Sequence, residues 1–191
     1  MTDRPRVLRA PTGLFWLVGV AAVVALLLGD VVVRGSVPQA LLIAPWLLIP
    51  VWFVYVFLYA PHIAVTDDDV RVHNILRTVR LPWSTVEDVR MRWQLEFELT
   101  EAGRAHGDLG AAARRKGVVE AWAITARPGR RPSTRTARAS SEADTLEVLR
   151  GLRASVGTQP GARITRSWNL VALGSAVAIA AWCVSAWLAA G

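Results

Sequence analysis

The amino-acid sequence predicts an α+β membrane protein with three transmembrane helices and one soluble domain of short antiparallel strands closed by a helix. Three observations lead to this fold class. Long apolar stretches lie at residues 13–33, 37–60 and 168–190. Between the second and third stretches, apolar and polar residues alternate in short runs, which is typical of half-buried strands. Near the end of that block, from residue 146, the apolar spacing becomes helical.

Each apolar stretch is long enough to cross a bilayer, whose hydrocarbon core of ~30 Å needs about 20 helical residues. The second and third stretches carry no formal charge, and the first carries only Asp30, near its far end. We therefore predict transmembrane helices at these three ranges, with a tail at residues 1–12 and a linker at residues 157–167. Pro45 and Pro50 lie inside the second span, where a tolerated kink is preferred to a hinge.

Arginine counts predict the orientation in the membrane, because cytoplasmic loops carry an excess of Lys and Arg. The N-terminal tail carries three arginines, whereas the connection between the first two spans carries only Arg34. The soluble block begins and ends with several more. We predict a multi-pass protein of a bacterial inner (plasma) membrane, with the N-terminus and the soluble domain in the cytoplasm and the C-terminus outside.

The soluble block, residues 61–156, begins with short strand-like runs separated by turn formers. Its apolar residues alternate with polar ones at Ile63 and Val65, Val70 and Val72, Val79 and Leu81, and Leu95, Phe97 and Leu99. This pattern predicts an antiparallel meander. Residues 118–126 are apolar on both faces and predict a more central strand.

The rest of the soluble block predicts one loop and one helix. Residues 102–117 contain several glycines and predict a loop. Ser141 and Asp144 have the spacing of a helix cap, and four apolar residues then fall on one helical face. These four residues are Leu146, Leu149, Leu152 and Val156. One amphipathic helix is therefore expected to close the strands.

Three motifs carry a resemblance to a known family: Asp69-Val70-Arg71-Val72, Leu76-Arg77-Thr78, and Leu81-Pro82-Trp83-Ser84 followed by Val86. With them the block resembles the bacterial pleckstrin-homology-like (PH-like) domain, most closely the membrane-anchored actinobacterial type related to low-molecular-weight antigen 6. The resemblance implies a strongly bent antiparallel sheet of about seven strands, capped by one C-terminal helix, and implies no known activity. The third span and the long loop are departures from the common form. Trp83 is expected to be a core residue packed against the closing helix.

The residues that most often carry catalysis or bind metals form no recognisable pattern. The three histidines share no metal-ligand spacing: His62, His73 and His106. His73 alternates with valines and is expected to face solvent, as are Glu96 and Glu98. The single cysteine, Cys183, excludes a disulfide within the chain and a cysteine metal site. We predict no enzyme activity, no catalytic residue, no cofactor and no metal.

Two basic clusters are candidate lipid contacts: Arg114, Arg115 and Lys116, and Arg130, Arg131 and Arg135. Arginine binds phosphate in a bidentate manner, and a basic loop gains roughly 1 kcal/mol per residue near an anionic leaflet. Topology alone also makes cytoplasmic loops rich in arginine. Weak, non-specific lipid contact is therefore expected, and nucleic-acid binding is a poor fit for this domain.

Two functional hypotheses follow. The first is a non-catalytic interaction module that recruits a protein partner at the membrane, most simply by adding a strand to a sheet edge. The alternative is an anionic-lipid sensor that uses the basic loops. An enzyme or transporter lacks support, because no charged residue lies in the middle of a span. Small-residue rows in the third span, such as Ala172, Ala176 and Ala180, allow homo-oligomers without requiring them.

Overall fold

The computed structural model describes residues 6–9, 12–125, 136–157 and 162–190. In chain order its helices are α1 (Thr12–Arg34), α2 (Val37–Val54), α3 (Glu101–His106), α4 (Ala111–Lys116), α5 (Thr136–Ser155) and α6 (Leu170–Ala190). Its strands are β1 (Arg6–Leu8), β2 (His62–Val65), β3 (Asp69–His73), β4 (Arg77–Pro82), β5 (Val86–Met91), β6 (Gln94–Leu99), β7 (Val118–Thr125) and β8 (Thr165–Trp168). Most of β1 to β8 and α3 to α5 belong to a soluble unit, and α1, α2 and α6 to a second, apolar unit.

The apolar unit holds three helices that are long and apolar enough to cross a membrane. The Ser36 hydroxyl caps α2 by accepting from the Gln39 N–H at 3.3 Å. The helix then runs through Pro45 and Pro50 and continues as a π-helical turn over Tyr55–Tyr59. The chain is therefore a membrane protein, as the apolar stretches predict.

A hydrogen bond between α2 and α6 was not predicted from the sequence. The Trp52 indole N–H donates to the Ser175 hydroxyl at 3.0 Å and to the Ala172 carbonyl at 3.2 Å. The buried face of α6 contains Ala172, Cys183 and Ala186, and Ala180 is exposed. A row of strict four-residue steps drifts around a helix of 3.6 residues per turn, so Ala172 is buried, Ala176 is half-buried and Ala180 has left this face.

The soluble unit consists of two antiparallel sheets and the helix α5. Sheet A has the strand order β1-β2-β3-β4-β8, and sheet B has the order β5-β6-β7. Alternate residues of both sheets enter one apolar core, which Leu149 of α5 joins. The predicted α+β class, with antiparallel strands, a closing helix and three long apolar helices, is confirmed. Among the described residues the strands form two sheets rather than the single bent sheet that was expected.

Three segments outside the predicted strands have regular structure. β1 lies within the predicted tail, residues 1–12. β8 covers the end of the predicted linker, residues 157–167, and Trp168, the first residue of the predicted third span. Both are too short to show a periodicity of two, and long-range pairing with sheet A decides their conformation. The loop predicted at residues 102–117 instead holds α3 and α4. Thr100 caps α3 by accepting from the Gly103 N–H at 3.1 Å, and Gly117, with φ of +70°, ends α4.

Trp83 is a core residue, as predicted. It lies in a 3-10 turn between β4 and β5 and is 1% exposed. Its indole N–H donates to the Thr66 carbonyl at 2.9 Å, and its ring centroid lies 6.5 Å from that of Phe97. The turn also contacts α5. Trp83 therefore joins both sheets and the closing helix.

We expect Trp83→Ala to lower the free energy of unfolding of the soluble unit by about 3–5 kcal/mol, because it leaves a large cavity. Urea-dependent proteolysis of the full-length protein in detergent measures this loss. Trp93→Ala is the matched control, since Trp93 is 70% exposed, and should change stability by less than about 0.5 kcal/mol. Equal losses for the two variants would contradict the core role of Trp83.

Candidate interaction surface

The outward edge of β5 is closed by side chains of α5. β5 is an edge strand of sheet B. The Val89 carbonyl accepts from Arg150 Nε at 3.1 Å, and the Val86 carbonyl accepts from Arg153 Nε at 3.1 Å. The Val89 N–H donates to the Asp88 carboxylate at 2.8 Å. Main-chain groups that another strand could pair with therefore already have partners within the chain.

Ion pairs extend along the same edge. Asp88 accepts from Arg90 Nε at 3.0 Å and lies 3.5 Å from Arg150 Nε. Arg90 also pairs with Glu98 at 2.8 Å. The hydrogen bond from Arg90 is the main reason that the pKa of Asp88 is lowered, so this carboxylate stays ionised. These groups are partly exposed, so the pairs orient the arginines more than they stabilise the fold.

The outward edge of β7 is closed by one amide side chain. Asn74, which follows β3, donates from Nδ2 to the Glu120 carbonyl at 2.9 Å. Its Oδ1 accepts from the Trp122 N–H at 3.0 Å. Asn74 thus replaces the peptide group of a neighbouring strand and links sheet A to sheet B. Sequence reasoning assigned Asn74 only to a turn, because nothing in its local sequence indicates a partner almost fifty positions away.

The prediction of a central strand at residues 118–126 is wrong, because β7 is the last strand of sheet B. Ala121 and Ala123 are buried, whereas Trp122 between them is 54% exposed. The apolar outer face of this strand is thus a surface and not a second core contact.

Two exposed tryptophans lie toward the same end of sheet B. Trp93 is 70% exposed at the turn between β5 and β6, and Trp122 is 54% exposed on β7. The register pairs Gln94 with Thr125 and Leu95 with Ala121, which brings the segments carrying both tryptophans to one end of the β6–β7 pair. We call Trp93 and Trp122 the tryptophan surface. Neither was singled out from the sequence, although a tryptophan between arginine and glutamine at a turn is the signal that could have identified Trp93.

On the outer face of sheet A, a buried carboxylate holds two arginines together. The Asp69 side chain is 5% exposed and accepts from Arg80 Nε at 2.6 Å. Arg71 Nε lies 3.4 Å from the other carboxylate oxygen. Arg71 and Arg80 are cross-strand neighbours in the register of β3 and β4. Asp69 offsets their repulsion, so this arrangement has a structural role and leaves the arginines engaged.

His73 is half-buried, so the expectation that it faces solvent is wrong. His62, its cross-strand neighbour, stacks on it with ring centroids 4.0 Å apart. The Thr78 hydroxyl lies 3.0 Å from His73 Nδ1. Burial, followed by the nearby His62, Arg71 and Arg9, lowers the pKa of His73 to about 4. Among the residues that the structure describes, no group of three or more potential metal ligands lies together.

His73 should make the soluble unit sensitive to acid. The pKa of His73 is about 4 in the folded state, against the ordinary histidine value of 6.5, so the unfolded state takes up a proton first as the pH falls. Stability contributed by neutral His73 is therefore lost from about pH 6.5 down to about pH 4. We expect His73→Gln to reduce the drop in melting temperature of the detergent-solubilised protein over this range.

His106→Gln is the control for this measurement, because His106 is exposed on α3. It should leave the pH profile of the melting temperature unchanged. A wild-type profile that is flat between these pH values, or one that responds equally to both variants, would contradict the role of His73.

The first candidate lipid cluster lies on the last turn of α4. Arg114 donates to the Gly107 carbonyl at 3.1 Å, and Lys116 pairs with Glu120 at 2.8 Å. Arg115 is exposed, and no ion pair or hydrogen bond of its side chain is found with the described residues. Two of the three basic groups are thus engaged within the domain. The second cluster, Arg130, Arg131 and Arg135, lies outside the described residues.

Two antiparallel sheets that share one core, closed by a C-terminal helix, are the arrangement expected of a PH-like domain. A protein-family model described as "Bacterial PH domain" matches residues 60–160. This is slightly more than half of the chain, so the protein belongs to the bacterial PH domain family. No match was found among curated proteins or solved structures. The narrower resemblance to the actinobacterial type related to low-molecular-weight antigen 6 stays a prediction.

Proposed function

We propose that this protein is a non-catalytic, membrane-anchored PH-like module that recruits a protein partner through the tryptophan surface. The observation that carries the proposal is the exposure of Trp93 and Trp122 toward one end of sheet B. Tryptophan and arginine are the residues most enriched among those that dominate binding energy at protein interfaces. Arg92 precedes Trp93 in the same turn and is exposed. A partner that covers this end would bury two large rings beside a cation.

Recruitment can be tested by placing a photo-crosslinking amino acid at position 93 or 122 of the full-length protein in native cells. Both positions should give the same protein adduct. The matched control position is Val148, which is 47% exposed on α5 and should give none. Trp93→Ala or Trp122→Ala should then lower recovery of that partner at least tenfold, since a dominant interface residue contributes about 2 kcal/mol or more.

The alternative function is anionic-lipid sensing, favoured by three consecutive exposed basic residues, Arg114, Arg115 and Lys116. Only Arg115 has no internal partner among the described residues, which supports weak attraction rather than a built headgroup site. Lipid adducts of a photo-crosslinking amino acid at position 115, without any protein adduct at positions 93 and 122, would favour this alternative. Selective binding to one lipid headgroup that Arg115→Ala abolishes would establish it.

We also propose that the protein lies in a bacterial inner membrane, with the soluble unit on the cytoplasmic side and the C-terminus outside. β1 precedes the first span and β2 follows the second, and their pairing requires both segments to be on one side. The excess of arginine in the tail and the soluble block supports the cytoplasmic side.

A reporter enzyme that is active only outside the cytoplasm tests this orientation. Fusion after Gly157 should be inactive, and fusion after Gly191 should be active. The opposite result at both positions would reverse the orientation. Activity at Gly157 alone would also exclude a cytoplasmic partner.

A further inference from the structure

We propose that the outer edge of β2 is a strand-addition site that β1 fills within the chain and that a basic, extended segment of a partner protein binds by displacing β1. This inference rests on the proposed recruitment of a protein partner and names the chemistry of a second contact. It is carried by the pairing of β1 with β2 and by the closure of the other sheet edges.

The register shows which main-chain groups β2 offers. The Thr66 N–H donates to the Asp69 carbonyl at 2.9 Å, so these two residues form a hydrogen-bonded pair at the β2–β3 turn. Hydrogen-bonded and non-hydrogen-bonded pairs alternate along an antiparallel ladder. Ala64 therefore bonds toward β3, whereas Ile63 and Val65 direct their N–H and C=O groups toward β1.

The same alternation assigns roles to the three residues of β1. Arg6 lies opposite Val65 and Leu8 opposite Ile63, so these two residues make the ladder bonds to β2. Val7 lies opposite Ala64 and points its main-chain groups away from the sheet. A proline at position 6 would thus remove a ladder donor, whereas a proline at position 7 would remove none.

Of the strands and side chains that cover the sheet edges, β1 is the least firmly anchored. Arg6 and Val7 are exposed, and Leu8 is only half-buried against the core. By contrast β8, on the opposite edge of sheet A, follows Ile164, which is 2% exposed and whose carbonyl accepts from the Asp108 N–H at 3.0 Å. The edges of β5 and β7 are closed by the side chains described above. β1 also lies outside residues 60–160, so the family domain itself ends at β2 on this side.

The sequence of β1 and its surroundings define the partner segment. The position of Leu8 accepts an apolar side chain that packs on the core. The position of Arg6 lies beside Val65, which precedes the acidic turn of Asp67 and Asp68. A basic residue there is favoured by the charge of that turn. The segment should therefore have a basic residue, any strand-forming residue and an apolar residue in succession.

The test measures binding of a fluorescent peptide with the sequence of residues 1–9 to the full-length protein in nanodiscs. Within the chain β1 competes at an effective concentration on the order of millimolar, so the wild type should bind the peptide weakly. Arg6→Pro should release β1 and tighten peptide binding at least tenfold. Val7→Pro is the matched control and should bind like the wild type.

Peptides that carry proline provide a second measurement that does not depend on the folding of any variant protein. On the wild type at high peptide concentration, a peptide with proline at position 6 should lose binding, and one with proline at position 7 should retain it. Trp122→Ala should not change peptide affinity, which separates this site from the tryptophan surface. No binding to any protein form, or equal effects of the two prolines, would overturn the proposal.

A second copy of the chain is the other occupant that the test must exclude. Val7 and Ala64 form a non-hydrogen-bonded pair, whose close Cα spacing suits a disulfide. Chains carrying Val7→Cys and chains carrying Ala64→Cys, each with Cys183→Ala, can be expressed together. An inter-chain disulfide that forms when the purified protein is oxidised would overturn a partner segment as the occupant, and its absence under the same oxidation would support one.

Discussion

The burial of Trp83 is the constraint on which the rest of the soluble unit depends. Its main-chain N–H donates to the Asp68 carbonyl at 3.1 Å, and its indole N–H donates to the Thr66 carbonyl. These two bonds fix the turn that joins β2 to β3. The ring packs toward Phe97 of sheet B at the point where the chain passes from one sheet to the other. Trp83 thus links the β2–β3 turn of sheet A to the core side of sheet B.

The main-chain N–H and C=O groups on the outer strands find hydrogen-bond partners differently in the two sheets. An open edge presents unpaired N–H and C=O groups and invites uncontrolled pairing. Sheet A is extended by short strands from segments that adjoin the apolar helices. Sheet B is closed by side chains, namely an asparagine amide on one strand and two guanidinium groups on the other. Because Asn74, and not another strand, pairs with the main chain of β7, the Trp122 side chain beside it stays exposed.

Local sequence patterns predicted those strands and helices in which buried residues recur at a short, regular spacing. The alternating runs from Ile63 to Leu99 and the apolar face of α5 repeat in this way, and so do the three spans. Features set by distant partners could not be predicted in the same way. The role of Asn74 depends on β7, the environment of His73 depends on the stacked His62, and β1 is a strand only because β2 has a free edge.

The short helices α3 and α4 were also missed, because glycine is common both in loops and at the ends of helices. The glycines of residues 102–117 indicated a loop, yet Gly103 packs under the cap of α3 and Gly117 supplies the left-handed end of α4. Among the candidate lipid residues, Arg114, Arg115 and Lys116 are consecutive in the sequence, and a role of this cluster in lipid contact stays a prediction. The sequence could not show that two of them have internal partners, because those partners lie outside the cluster.

The pairing of β1 with β2 has a consequence for how the chain is made. β1 is synthesised before both of the first two helices, and β2 after them, so in a membrane this pairing requires α1 and α2 to cross together. If only one of them had inserted, the two strands would lie in different compartments. A paired β1–β2 edge therefore distinguishes a chain in which both helices have crossed from one in which a single helix has crossed.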